Sequence, residues 1–179
     1  MKMVILDRDG VINEDSDAYI KSPEEFVPIP GSLEAIARLN RADYQVIVTT
    51  NQSGIARGYY DLETLDRIHQ RLGRLLGEVG GHVDAILYCP HGPEDGCACR
   101  KPAPGLLEQV AERLGNPLTG VPVIGDARRD VEAARAVGAA PMLVRTGKGE
   151  RTLAEPAGLE RVPVYRDLAA AVDALLEAA

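Results

Sequence analysis

Short apolar runs ending abruptly in polar residues alternate along this chain with stretches whose apolar positions fall three and four apart. Lys2 to Leu6 is the first run and reads as a buried strand. Gly31-Ser32 opens a helix with Leu33, Ile36, Ala37 and Leu39 on one face. Gln45 to Thr49 is a second strand. Asp61 is an N-cap for a helix carrying Leu62, Leu65, Ile68, Leu72, Leu75 and Leu76. Ala85 to Tyr88 is a third strand, and Pro104 fits the first turn of a helix running to about Leu114. Val121 to Ile124 forms a fourth strand, and Asp130 to Val137 a helix stopped by Gly138. Met142 to Val144 is a fifth strand. Val162 to Tyr165 is a sixth, placed at an edge by Pro163, and Asp167 caps a last helix.

Strand and helix alternate throughout, which predicts an α/β fold: one doubly wound parallel sheet covered on both faces. One domain over 1–179 is expected, since 179 residues suffice for a single core. No insertion is long enough for a large cap domain. Residues Gly147 to Gly158 carry the weakest pattern and are expected to form a mobile surface connection.

Composition narrows the partners. The chain is 45% hydrophobic and 26% charged, as ordinary globular proteins are. No apolar run approaches the roughly 20 residues of a membrane span. Met3 to Leu6 is too short for a signal-peptide core, so a cytoplasmic location is expected. A net charge of −7 argues against nucleic acid as partner, though a few placed cations and a metal can still bind phosphate locally.

In such sheets ligands bind beyond the carboxyl ends of the strands. Asp7 and Asp9 leave the first strand two residues apart, so that one carboxylate can attack phosphorus while the other handles protons. Asp7-Arg8-Asp9-Gly10 also reads simply as a charged turn. Thr50, with Asn51, Gln52 and Ser53, follows the second strand and offers a hydroxyl and loop N–H groups to phosphate oxygens. The same residues also suit a helix cap. Lys101 is a suitable point charge for a phosphoryl oxygen, or else a solvated surface lysine. Asp126 follows Gly125 at the fourth strand end and would complete a magnesium site. Asp130, a turn later, is read in a mixed role, bracing that site and stabilising its helix.

All three cysteines lie in one loop. Cys89, His91, Cys97 and Cys99 supply four ligands within eleven residues, which fits a closed structural zinc site. Such a site would order the loop 89–99 and deliver Arg100 and Lys101.

The four strand-end motifs, Asp7-Arg8-Asp9-Gly10, Thr50, Lys101 and Gly125-Asp126, resemble the haloacid dehalogenase-like phosphatase superfamily along essentially the whole chain. The resemblance implies its Rossmann-like fold and a Mg²⁺ cofactor bound by Asp7, the Asp9 carbonyl and Asp126. It also implies Asp7 as nucleophile and Asp9 as general acid and base, with Thr50 and Lys101 holding the transferring oxygens.

Within the superfamily, several stretches are similar to sugar-bisphosphate phosphatases: Asp7 to Asn13, Thr50 to Gly58, Cys89 to His91 and Cys97 to Pro102. Histidinol-phosphate phosphatases share the scaffold and a similar zinc loop. The first likeness implies a small phosphorylated sugar as substrate and a monomer. A second phosphate would need its own cation, Arg100 or Arg57. Asp15, Ser16 and Asp17 are placed to bind sugar hydroxyls, or form a solvated turn. Ala127 stands where relatives can carry a substrate-binding lysine, which leaves Arg128 or Arg129 as substitutes. A non-catalytic zinc-stabilised module and a polynucleotide 3′-phosphatase are the remaining alternatives.

Overall fold

The structure is a computed structural model and describes residues 2–178. Its strands are β1 (Lys2–Leu6), β2 (Tyr44–Asn51), β3 (Ala85–Cys89), β4 (Pro122–Gly125), β5 (Ala140–Val144) and β6 (Val164–Tyr165). Its helices are α1 (Ser32–Arg41), α2 (Leu62–Glu78), α3 (Gly105–Leu114), α4 (Arg128–Ala136), α5 (Gly149–Leu153) and α6 (Leu168–Glu177). The strands form one parallel sheet in the order β3-β2-β1-β4-β5-β6. This is the α/β doubly wound architecture that the alternating pattern predicts.

Period-two alternation in β1 divides the core. Val4 and Leu6 face α1, α2 and α6, together with Val46, Val48, Ile124 and Val144. Met3 and Ile5 face the other way, with Ile47, Leu87 and Val123 against Leu106, Leu107 and Val110 of α3 and Ala133 and Ala134 of α4. Strands buried on both faces therefore read as continuous apolar runs. The helix starts follow their side chains: Asp61 accepts from the Thr64 N–H at 2.8 Å, and Asp167 from the Ala170 N–H at 2.9 Å.

Between β1 and α1 the described chain holds only a one-turn 3₁₀ helix, Pro23–Glu25, so no cap domain covers the sheet. Several boundaries differ from the sequence reading. β2 runs on through Thr50 and Asn51, because both pair with β3 at Tyr88 and Cys89. β5 begins at Ala140, and α4 begins at Arg128 rather than Asp130. Asp130 instead reaches back, its Oδ2 accepting from the Ala127 N–H at 3.1 Å.

Gly147 to Gly158, the stretch of weakest pattern, carries regular structure. The segment contains α5 and is pinned by polar contacts that no hydropathy pattern carries. Lys148 N donates to Asp126 Oδ2 at 2.7 Å and Thr152 Oγ1 donates to the Asp126 carbonyl at 3.0 Å. Leu153 and Leu159 pack with Val131, Leu143 and Val162.

Candidate active site

The order of strand addition reverses between β1 and β4, the crevice where α/β sheets open a site. Leu6 lies opposite Ile124 and Val48, so the chain exits of β1, β2 and β4 meet. Asp7 is fixed there by its own N–H, which donates to the Ile124 carbonyl at 2.9 Å. Gly10, at φ +82°, turns the chain sharply away. A Cβ on it would lie 2.0 Å from Asp126 Oδ2.

Lys101 is buried, only 3% exposed, and joins the three strand ends. Its Nζ donates to the Thr49 carbonyl at 2.9 Å and to Asp130 Oδ1 at 2.7 Å, and lies 3.2 Å from Asp7 Oδ1. Burial works against its charge, but Asp130 and Asp7 outweigh it and hold its pKa above the ordinary lysine value. Asp130 thus combines the two roles suggested by the sequence: it braces the site, through Lys101, and closes the first turn of α4.

Burial raises Asp7 to about 6 despite the adjacent Lys101, with Asp130 also pushing upward. Burial, then Asp7 and Asp130, raise Asp126 to about 8. Acids crowded in this way are relieved by a cation. Asp7, Asp126 and Asp130 each offer an oxygen, all within 4.8 Å of one another. Asp126 Oδ1 is buried and has no protein partner, whereas Asp130 already spends one oxygen on Lys101 and the other on Ala127. Oxygen-only donors of this kind fit a magnesium ion.

Asp9 sits beside this cluster and is held from several sides. Its Oδ1 accepts from Arg8 Nη2 at 2.8 Å, Arg8 Nε at 3.1 Å and Asn13 Nδ2 at 2.8 Å. Its Oδ2 accepts from Gln52 Nε2 at 3.0 Å, which also donates to Thr50 Oγ1 at 2.9 Å. Tyr60 OH orients this glutamine by donating to its Oε1 at 2.5 Å. Burial opposes ionisation of Asp9, but Arg8 and the donors Asn13 and Gln52 prevail and keep its pKa below the usual carboxylate value.

A cleft of about 210 Å³ opens from Asp9. Asp15, Ser16, Asp17, Asn51, Gln52, Ser53, Arg57 and Arg100, all proposed from sequence for substrate contact, line it. Some are already engaged. The Asn51 amide makes two 3.0 Å bonds to the backbone of Lys101, so it positions the lysine loop. Ser16 Oγ accepts from the Ala18 N–H at 3.1 Å. The Arg57 guanidinium lies 5.9 Å from the centre of the Tyr19 ring, while Arg100 reaches only the His91 carbonyl, at 3.4 Å.

Of the two substitutes for the missing lysine at 127, Arg128 turns away to the carbonyls of Glu155 and Ala157. Arg129 lines the cleft. Burial disfavours its charge, but Asp7, Asp130, Asp126 and Asp15 more than offset this and raise its pKa. Sequence reasoning missed Lys148, which lines the cleft and pairs with Asp15 from a segment read as mobile. The Thr146-Gly147-Lys148 turn after β5 is the signal that could have found it, since β5 is another strand end of the same sheet.

The cysteine loop starts where β3 ends, beside Asn51. Cys89 Sγ lies 3.0 Å from Cys99 Sγ and 3.6 Å from Cys97 Sγ. His91 Nδ1 lies 3.4 and 3.3 Å from the sulfurs of Cys89 and Cys99. Ligands around tetrahedral zinc, with Zn–S near 2.3 Å, stand roughly 3.6–3.8 Å apart, so these four converge closely enough to hold one ion.

Two family models match: that of HAD-hydrolase-like proteins over residues 98–171 and that of Polynucleotide kinase 3 phosphatase over residues 2–133. The chain is 55% identical to the D-glycero-beta-D-manno-heptose-1,7-bisphosphate 7-phosphatase of Bordetella bronchiseptica, covering 100% of both chains. It is 61% identical to the enzyme of the same name from Pseudomonas putida, over 95% of this chain and 97% of that one. The chain belongs to the D-glycero-beta-D-manno-heptose-1,7-bisphosphate 7-phosphatase family of haloacid dehalogenase-like hydrolases.

The crystal structure of the B. bronchiseptica relative, complexed with magnesium and phosphate, superposes with a TM-score of 0.98 over 100% of both chains. That of the relative from Burkholderia thailandensis gives 0.78 at 43% identity, over 98% of this chain and 99% of that one. The match to the polynucleotide phosphatase model stops at residue 133, before β5 and Lys148. The likeness to the heptose-bisphosphate phosphatases runs through both.

Proposed function

We propose that this protein removes the C7 phosphate from D-glycero-D-manno-heptose 1,7-bisphosphate, leaving heptose 1-phosphate for nucleotide-activated heptose and lipopolysaccharide core synthesis. One observation carries the reading beyond family membership. Beside a site that already holds Lys101 for the reacting phosphoryl group, the cleft gathers Arg57, Arg100, Arg129 and Lys148. Cations in two places suit a substrate with phosphates in two places. Histidinol phosphate, whose far end carries an amine, gains nothing from the second set.

In this reading an Asp7 oxygen attacks phosphorus in line, forming the aspartyl-phosphate as the bond to the sugar oxygen breaks. Asp9, a carboxylate in the free enzyme, takes up a proton from solvent as the charged phosphate enters and gives it to that oxygen through Oδ2. Oδ1 is saturated by three donors, whereas Oδ2 meets only Gln52. The Asp9 carboxylate then takes a proton from water, whose oxygen displaces Asp7 from phosphorus and releases inorganic phosphate. Thr50 Oγ1 and Lys101 Nζ orient the transferring oxygens. Magnesium, held by Asp7, Asp126 and the Asp9 carbonyl, would neutralise phosphoryl charge when bound. Zinc at Cys89, His91, Cys97 and Cys99 would hold the loop that carries Arg100 and Lys101.

A cytoplasmic monomer acting on a small sugar phosphate, without nucleic acid, fits this reading. Among the described residues no helix is long and apolar enough to cross a membrane. The test is phosphate release with magnesium from heptose 1,7-bisphosphate, histidinol phosphate, fructose 1,6-bisphosphate and a 3′-phosphorylated oligonucleotide. Selectivity for the heptose, abolished by Asp7→Asn, is expected. Preference for any of the other three would replace the substrate, and full turnover by Asp7→Asn would remove the mechanism.

A further inference from the structure

Arg8 is the largest fully buried side chain in the protein, and the mechanism above gives it no task. Burying a guanidinium is costly unless every face of it is matched. Here three faces are. Nε and Nη2 both donate to Asp9 Oδ1, at 3.1 and 2.8 Å. Nη1 lies 3.1 Å from His69 Nε2. The plane lies over the buried Phe26 ring, 5.9 Å from its centre.

Arginine can only donate, so His69 Nε2 must be the acceptor and the ring proton must be on Nδ1. Burial, reinforced by Arg8, drives His69 down to about 3, which keeps the ring neutral and able to accept. His69 comes from the middle of α2 and is not among the cleft-lining residues.

We propose that the buried Arg8 and the half-buried His69 form a brace that fixes the Asp9 carboxylate in its proton-transfer pose, making both positioning residues for the departure of poor leaving groups. The proposal rests on the phosphatase reading, in which Asp9 protonates the leaving oxygen. His69 stops rotation of the guanidinium, and the guanidinium stops rotation of the carboxylate by gripping Oδ1 through two nitrogens. Oδ2 is thereby left toward Gln52 and Thr50, on the side of the reacting group. Freed from His69, Arg8 would keep its charge but lose one of its two anchors, and the carboxylate would sample angles that do not reach the leaving oxygen.

A positioned acid is worth about 10²–10⁴-fold, and only where the leaving oxygen needs a proton. A sugar alkoxide needs one; a nitrophenolate leaves without it. The experiment is single-turnover alcohol release, with magnesium-loaded enzyme in excess so that only the first step is read. Heptose 1,7-bisphosphate and p-nitrophenyl phosphate are compared in wild type, His69→Leu and His69→Gln. His69→Leu is expected to slow sugar release tenfold or more, to leave nitrophenol release within twofold, and to leave substrate binding unchanged.

His69→Gln, which restores an acceptor oxygen, is expected to recover most of the loss. It also keeps the test informative if the leucine variant folds poorly. Equal slowing of both substrates would make His69 merely structural, and no slowing of either would make it idle. Each result overturns the brace. Asp9→Asn separates the two levels: sugar release at the wild-type rate in that variant would remove the acid role of Asp9 itself.

Discussion

Replacing Lys101 with methionine keeps the length of the side chain and deletes its ammonium, which tests the centre of this site most directly. The Thr49 carbonyl and Asp130 Oδ1 lose their donor, and Asp7 Oδ1 loses the ammonium 3.2 Å away. Removing one partner of a buried ion pair costs about 3–5 kcal/mol. We expect a loss in that range at pH 8 without metal, read as a shift of the urea midpoint at constant slope.

The loss should shrink at pH 5, and the sign follows from Asp7. Its native pKa, about 6, already exceeds the ordinary value of 3.8, and Lys101 is the main influence holding it down. Without Lys101 it rises further. A carboxyl that binds its proton more tightly when folded contributes stability below the unfolded pKa and loses it as pH rises through the folded pKa. Turnover at saturating substrate should fall by about 10²–10³-fold, the typical loss on removing a donor aimed at developing charge. Wild-type stability in Lys101→Met at pH 8, or an equal loss at pH 5 and pH 8, would refute the picture of a buried lysine neutralising two carboxylates, Asp7 and Asp130.

Cys97→Ser should lose zinc and lower the melting temperature while Asp7 and Asp126 still bind magnesium. Unchanged zinc content by elemental analysis would refute the loop assignment. Magnesium must displace protons from Asp126 near 8 and Asp7 near 6, so its apparent affinity should climb between pH 6 and pH 8. Calorimetry in buffers of different ionisation enthalpy should register proton release, and a flat pH dependence would show that these acids do not bind the ion.

The sequence alone determined the layered fold and the chemistry of the strand ends. Lys2 to Leu6 and its successors are apolar without a break because both sheet faces are covered, so length and bounding residues sufficed to place them. Asp7, Asp9, Asp126 and the Cys89 to Cys99 cluster stood out in the sequence because their residue types are costly to place at such positions without a task. Local capping by Asp61 and Asp167 was equally visible, being a contact over three residues.

Tertiary structure decided which of two roles each ambiguous residue takes. Asn51 lines the cleft, and its amide also clamps Lys101, a residue 50 positions away. Arg128 and Arg129 are neighbours in sequence, yet helical rotation sends one to the carbonyls of Glu155 and Ala157 and the other into the cleft. Lys148 and Thr152 were lost in a stretch without hydropathy pattern, because what orders it is hydrogen bonding to Asp126. The Arg8–His69 contact spans 61 residues and joins a strand end to the middle of a helix. Periodicity records which face of an element is buried; it carries no information about which polar groups meet across that burial.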